Sequence, residues 1–123
     1  ILRLFKRGRE ETAVEKQRRE IIENAVEYLQ RNYNQEIKLE ELSMMSFLSR
    51  NYFCRIFKQH TGITVSEYIQ KIRMEEACRL LRETTRKVID IAADVGYSDI
   101  KFFNTVFKRF TGRTPGAYRK ESR

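Results

Sequence analysis

Asn51 and Arg55 lie four residues apart, so on a helix they stand one above the other on a single face. Both side chains carry paired hydrogen-bonding atoms. An asparagine amide matches N6 and N7 of adenine, and an arginine fork matches O6 and N7 of guanine. Arg50 and Lys58, at the two ends of the same stretch, have the charge that suits phosphate oxygens. Residues 50–63 carry Arg50, Arg55 and Lys58 and no acid, and residues 100–113 carry Lys101, Lys108, Arg109 and Arg113 and again no acid. These two stretches hold seven of the eight surplus positive charges of the 123-residue chain, whereas elsewhere acids and bases nearly cancel. One charged helix face is usually no more than a solvated face. A surplus confined to two short stretches, at matching positions, is what a polyanionic partner requires.

The elements that carry these residues are copies of each other. Moving back 50 residues without a gap places Phe53 on Phe103, Phe57 on Phe107, Lys58 on Lys108, Thr61 on Thr111, Gly62 on Gly112, Thr64 on Thr114 and Tyr68 on Tyr118. Residues 88–118, VIDIAADVGYSDIKFFNTVFKRFTGRTPGAY, read as a complete helix-turn-helix. Ala92 and Gly96 mark where a second helix crosses closely and the chain turns through a conformation that glycine adopts cheaply. Asp99 is placed to cap the next helix, with Phe102, Phe103, Val106 and Phe107 on its core face and Lys101, Asn104, Thr105 and Lys108 on the other. In the first copy Leu39 and Leu42 anchor the leading helix, and Ser46 takes the position of Gly96. A non-glycine residue at positive φ costs about 1–2 kcal/mol, which predicts a turn that is either strained or differently shaped. Ser49 caps a helix whose core face is Tyr52, Phe53, Ile56 and Phe57 and whose outer face is Arg50, Asn51, Cys54, Arg55 and Lys58.

Residues 1–17 mix charges around Gly8 without sustained periodicity and read as a linker or N-terminal extension. The absence of an initiating Met suggests a piece of something longer. Ile21, Ile22, Ala25, Val26 and Leu29 then form a helical apolar stripe that should pack on the first helix-turn-helix, and residues 32–36 end that helix. Thr64, three residues before Glu67, makes a capping box for a helix running to about Glu83. Some 19 residues at 1.5 Å each give roughly 28 Å, close to the roughly 34 Å between successive major-groove faces on one side of B-DNA. Residues 84–87 break the pattern, and Thr114 with Pro115 opens a short closing helix whose Tyr118 should plug the second core. The expected architecture is all-α, about seven helices in two helix-turn-helix subdomains, 18–64 and 85–123, joined by a central linker helix over 65–84.

Composition narrows the functional classes. A hydrophobic content of 41% with eight Phe and six Tyr can build compact cores, although neither half would be large. No apolar run approaches the roughly 20 residues needed to span a bilayer, and the start lacks the features of a signal peptide, so a cytoplasmic protein without a membrane partner is expected. Cys54 and Cys78 fit no metal or redox spacing and are expected to be reduced, neutral thiols. His60 is the sole histidine, and no Ser/His/Asp, metal or Gly-rich phosphate constellation accompanies it, so neither an enzyme nor a cofactor is expected. A helical protein-binding or RNA-binding module is the remaining rival class.

The residues resemble the DNA-binding domain of AraC-type transcription regulators over residues 18–120. The most specific pieces are IAADVGYSDIKFFNTVFKRFTGRTPGAYR, residues 91–119, and YIQKIRMEEACRLL, residues 68–81, which is similar to the family's central helix. The resemblance implies a bacterial, seven-helix bipartite domain that regulates transcription, as an activator, by binding double-stranded DNA. The second helix of each unit would read bases with Asn51, Cys54 and Arg55 and with Lys101, Asn104 and Thr105, while Arg50, Lys58, Lys108 and Arg109 hold the DNA backbone. It further implies RNA polymerase as a partner and a ligand-sensing or phospho-accepting domain N-terminal to this chain, with a stand-alone regulator as the alternative. Ser46 and Cys54, a poor base reader, depart from the family pattern and mark the first unit as the weaker reader.

Overall fold

The computed structural model describes residues 10–123, so most of the expected N-terminal extension, including Gly8, lies outside the described residues. Seven helices and no strand occur among them: α1 (Ala13–Asn32), α2 (Leu39–Met45), α3 (Arg50–Thr61), α4 (Val65–Glu83), α5 (Val88–Asp94), α6 (Ile100–Thr111) and α7 (Pro115–Glu121). Helix α1 starts five residues before the change of pattern at Arg18, which moves the boundary drawn at residue 17. The cause is a local signal: Thr12 caps α1 by accepting from the Glu15 N–H, and Glu15 returns the bond to the Thr12 N–H. The same device at Thr64 and Glu67 starts α4, where the Thr64 backbone N–H holds the Glu67 carboxyl below its usual range.

Two aromatic cores form. Ile22, Ala25 and Leu29 of α1 close on Leu42, Phe53, Ile56 and Phe57, and Met74, Ala77, Cys78 and Leu81 of α4 close on Ile91, Ala92, Val95, Phe103, Val106 and Phe107. The copies match in detail. Phe53 and Phe57 stand 6.0 Å apart at 41°, and Phe103 and Phe107 stand 5.8 Å apart at 35°. Tyr68 meets Phe57 edge-on at 5.8 Å, and Tyr118 meets Phe107 edge-on at 5.6 Å. Helices α3 and α6 both end at a left-handed glycine, Gly62 at φ 86° and Gly112 at φ 80°, followed two residues later by a threonine N-cap. Helix α4 is not a spacer between finished units. Val65, Tyr68, Ile69 and Ile72 at its start belong to the first core, and its second half belongs to the other. It closes the first unit as α7 closes the second, and it opens the second unit as α1 opens the first.

The ungapped superposition fails at the turns. Ser46 has an ordinary φ of −95°, and the left-handed residue of the first turn is Phe47, at φ 57°. The structural counterpart of Gly96 is therefore Phe47, because residues 46–49 link α2 to α3 where residues 95–99, one more, link α5 to α6. With that shift the backbone bonds agree: the Leu48 N–H donates to the Ser43 carbonyl as the Tyr97 N–H donates to the Ala92 carbonyl. Buried Ser43 then occupies the close-crossing site of Ala92, its hydroxyl donating to the Glu40 carbonyl.

Candidate nucleic-acid interface

The expected base-reading and phosphate-facing residues sit on the outer faces of α3 and α6, opposite Phe53, Ile56 and Phe57 and opposite Phe103, Val106 and Phe107. Asn51, Arg55, Lys101, Asn104 and Thr105 are exposed, and Cys54 is half-buried. Arg50, Lys58, Lys108 and Arg109 are exposed as well. Ser49 caps α3 by accepting from the Tyr52 N–H, and Asp99 caps α6 by accepting from the Lys101 and Phe102 N–H groups. Each helix therefore presents its first turn as a fixed platform. Lys101, Asn104 and Lys108 recur at spacings of three and four on α6, as Asn51, Arg55 and Lys58 do on α3.

Local contacts refine individual positions. The Arg55 guanidinium lies over the Tyr52 ring, 5.1 Å from its centroid, so its plane is oriented before any partner arrives. The Thr105 hydroxyl donates to the Lys101 carbonyl, which leaves its lone pairs and methyl group outward. Glu40 of α2 reaches Arg50 at 3.5 Å, and Glu121 of α7 pairs with Arg113. The acid-free windows of the sequence are thus partly neutralised by neighbouring helices. His60 donates from Nδ1 to the Ile56 carbonyl at 2.9 Å, which occupies one ring nitrogen within its own helix. Beside α3 and the start of α4 a groove is lined by Cys54, Arg55, Lys58, Thr64 and Ser66.

Two placements differ from expectation. Phe102, read as part of the core face, is 52% exposed and rests its ring against Tyr97 at 5.8 Å. The buried stripe of α6 is narrower than its apolar sequence: Phe103, Val106 and Phe107 are buried, and Ile100 packs half-buried beside them. Arg18 was missed: its guanidinium approaches Tyr52 from α1, 5.6 Å from the centroid, and its Nε is buried without a hydrogen-bond partner among the described residues. Its signal was a cation in line with the buried stripe, one turn before Ile22. Both cysteines are free thiols, and burial pushes the Cys78 thiol up. Burial likewise pushes the Tyr97 hydroxyl up, against the pull of Arg73, so this phenol stays neutral beside its cation.

A profile of the helix-turn-helix domain matches residues 42–121. The bifunctional transcriptional activator/DNA repair enzyme AdaA of Bacillus subtilis (strain 168) is 36% identical over 104 residues, covering 85% of this chain and 49% of that protein. The regulatory protein SoxS of Salmonella typhimurium is 35% identical over 100 residues, covering 81% of this chain and 94% of SoxS. The chain thus spans about half the length of AdaA and nearly the whole of SoxS. Among solved structures, the C-terminal domain of AraT, a response regulator from Geobacillus stearothermophilus, aligns with TM-score 0.78 and 35% identity over 82% of this chain and 84% of that one. The DNA-binding domain of the global transcriptional factor AdpA, in complex with a target DNA, aligns with TM-score 0.71 and 27% identity over 85% of this chain and 90% of that one.

Proposed function

The chain belongs to the AraC-type transcription regulators and is their helix-turn-helix DNA-binding domain, and from that premise we propose that its two units read adjacent major-groove segments about one turn of DNA apart. The observation that carries this reading is the pair of capped, outward basic faces on α3 and α6, equivalent at an offset of 50 residues and held by one shared helix of roughly 28 Å. Asn51, Cys54 and Arg55 face the bases of one segment, and Lys101, Asn104 and Thr105 those of the other. Arg50, Lys58, Lys108 and Arg109 hold phosphates, with Arg18 added beside Tyr52. In the cell the chain serves as the cytoplasmic output domain of a longer activator, with a regulatory domain N-terminal to it and RNA polymerase as partner. The half-length match to AdaA supports that arrangement; SoxS, of which the match covers 94%, is a relative with little chain beyond this domain, and a stand-alone regulator is the second reading.

Selection of binding sites from a random duplex library tests the reading, first with the native chain and then with variants. Arg55→Ala should relax preference in one half of the site, and Asn104→Ala in a half displaced by about 10 base pairs, each losing about 1–3 kcal/mol of discrimination. Lys58→Ala and Lys108→Ala should weaken all duplexes alike and flatten the slope of log affinity against log salt by about one unit. If Arg55→Ala and Asn104→Ala affect the same base pairs, the two-segment reading is wrong.

A further inference from the structure

Arg73 stands near the middle of α4, where the first core gives way to the second, and its guanidinium holds groups from both sides. Nε donates to the Tyr33 carbonyl at 2.7 Å and Nη2 to the Gln35 carbonyl at 3.0 Å, in the chain that leaves α1. Its Cζ lies 5.1 Å from the centroid of Tyr97, in the turn of the second unit. Gly96 leaves the space for it, since a Cβ at that position would stand 2.9 Å from Arg73 Cζ. Tyr33, although it follows the last turn of α1, packs against the second core. None of these groups belongs to either recognition helix.

We propose that Arg73 is a positioning residue that fixes the angle between the two reading units and so fixes the half-site spacing the chain accepts. The proposal rests on the two-segment reading above. One helix is a poor ruler by itself, because long helices curve: a bend of about 10° spread over roughly 28 Å moves its end by about 2.4 Å, most of the ~3.4 Å rise of a base pair. A tie beside the helix axis resists that bend. The planar fork suits the task, since two carbonyls and one ring face define its position and its plane, which the point charge of a lysine does not.

The repeat supplies an internal control. Arg123, 50 residues after Arg73, donates to the Thr84 carbonyl at 2.6 Å, in the chain that leaves α4. Clamping the carbonyls past a unit's opening helix is therefore common to both copies, and the stack on Tyr97 is what Arg73 adds. Removing Arg123 loses a clamp without touching the junction between units.

The test uses the 123-residue chain and a duplex obtained by selection with the native protein, remade with its half-sites moved apart or together by one and two base pairs, and each half-site alone. The native chain should lose about a hundredfold or more in affinity at a shift of two base pairs, because avidity disappears when geometry forbids simultaneous engagement. Arg73→Ala should lose about tenfold or less at the same shift while binding each isolated half-site within about twofold of the native chain. Arg73→Lys, which keeps stem and charge and serves if the alanine variant does not fold, should flatten the profile in the same direction. Arg123→Ala should keep the native profile. A steep profile in both Arg73 variants overturns the proposal alone, as does equal flattening by Arg123→Ala. A native chain that binds the composite site no more tightly than its better half-site overturns the two-segment reading together with it.

Discussion

In the second unit the chain turns at Gly96, φ 105°, and the following Tyr97 drops into the core. In the first unit it turns at Phe47, φ 57°, and the following Leu48 is only half-buried. Phe47 itself is 95% exposed, so its side chain gains nothing from the core in exchange for a backbone conformation that costs about 1–2 kcal/mol. The cores beneath the two turns are nevertheless nearly congruent, with two equivalent aromatic pairs whose interplanar angles agree within 6°. Packing therefore sets the crossing of the helices, and the turn conforms to it; strain persists where the surroundings over-determine the backbone. The glycine turn does a second thing that the phenylalanine turn does not, since its missing Cβ admits Arg73.

If the cores are equivalent, breaking either should cost the same. Phe57→Ala and Phe107→Ala each remove a fully buried ring and should each destabilise by about 3–5 kcal/mol. Denaturant unfolding measures both, and a difference above about 2 kcal/mol would show that one core carries the other. The turns should separate the units instead. Gly96→Ala places a Cβ at positive φ and against Arg73, so it should cost at least about 1–2 kcal/mol. Phe47→Ala leaves the backbone strain in place and exposes nothing new, so it should change stability by less than about 0.5 kcal/mol. Equal losses in the two alanine variants would show that the exposed Phe47 side chain contributes to stability after all. One substitution in this turn is a gain: Phe47→Gly relieves about 1–2 kcal/mol of strain against about 0.5–1 kcal/mol of added chain entropy, for a net stabilisation of about 0.5–1 kcal/mol. A rise of melting temperature in that variant is the measurement, and no rise would place the turn's strain elsewhere.

Much of the fold was legible in the chain because its signals are local. The Thr64–Glu67 capping box, the Ser49 and Asp99 caps and the threonine–proline start of α7 each act within three residues. The repeat exposed the rest: Phe53, Phe57 and Tyr68 match Phe103, Phe107 and Tyr118 without a gap, and their buried faces follow from helical period. The one-residue shift at the turns was hidden because no matching side chain lies between Leu42 and Ser49 to reveal it. Thr12 and Glu15 carried a readable signal for the start of α1, masked by the mixed charges around them.

Periodicity, capping and position along the chain are enough to tell which faces of α3 and α6 are apolar, where the net charge lies and that the chain is two copies of one plan. It took the packing of the helices to show that α4 serves both cores, that Phe102 stays half outside, that Glu40 and Glu121 reach into the basic windows, and that Arg18 and Arg73 stand beside Tyr52 and Tyr97. Those outcomes rest on groups far apart in the chain, as with the bonds from Arg73 to Tyr33 and Gln35, and side chains that meet across helices leave no period in the sequence that brings them together.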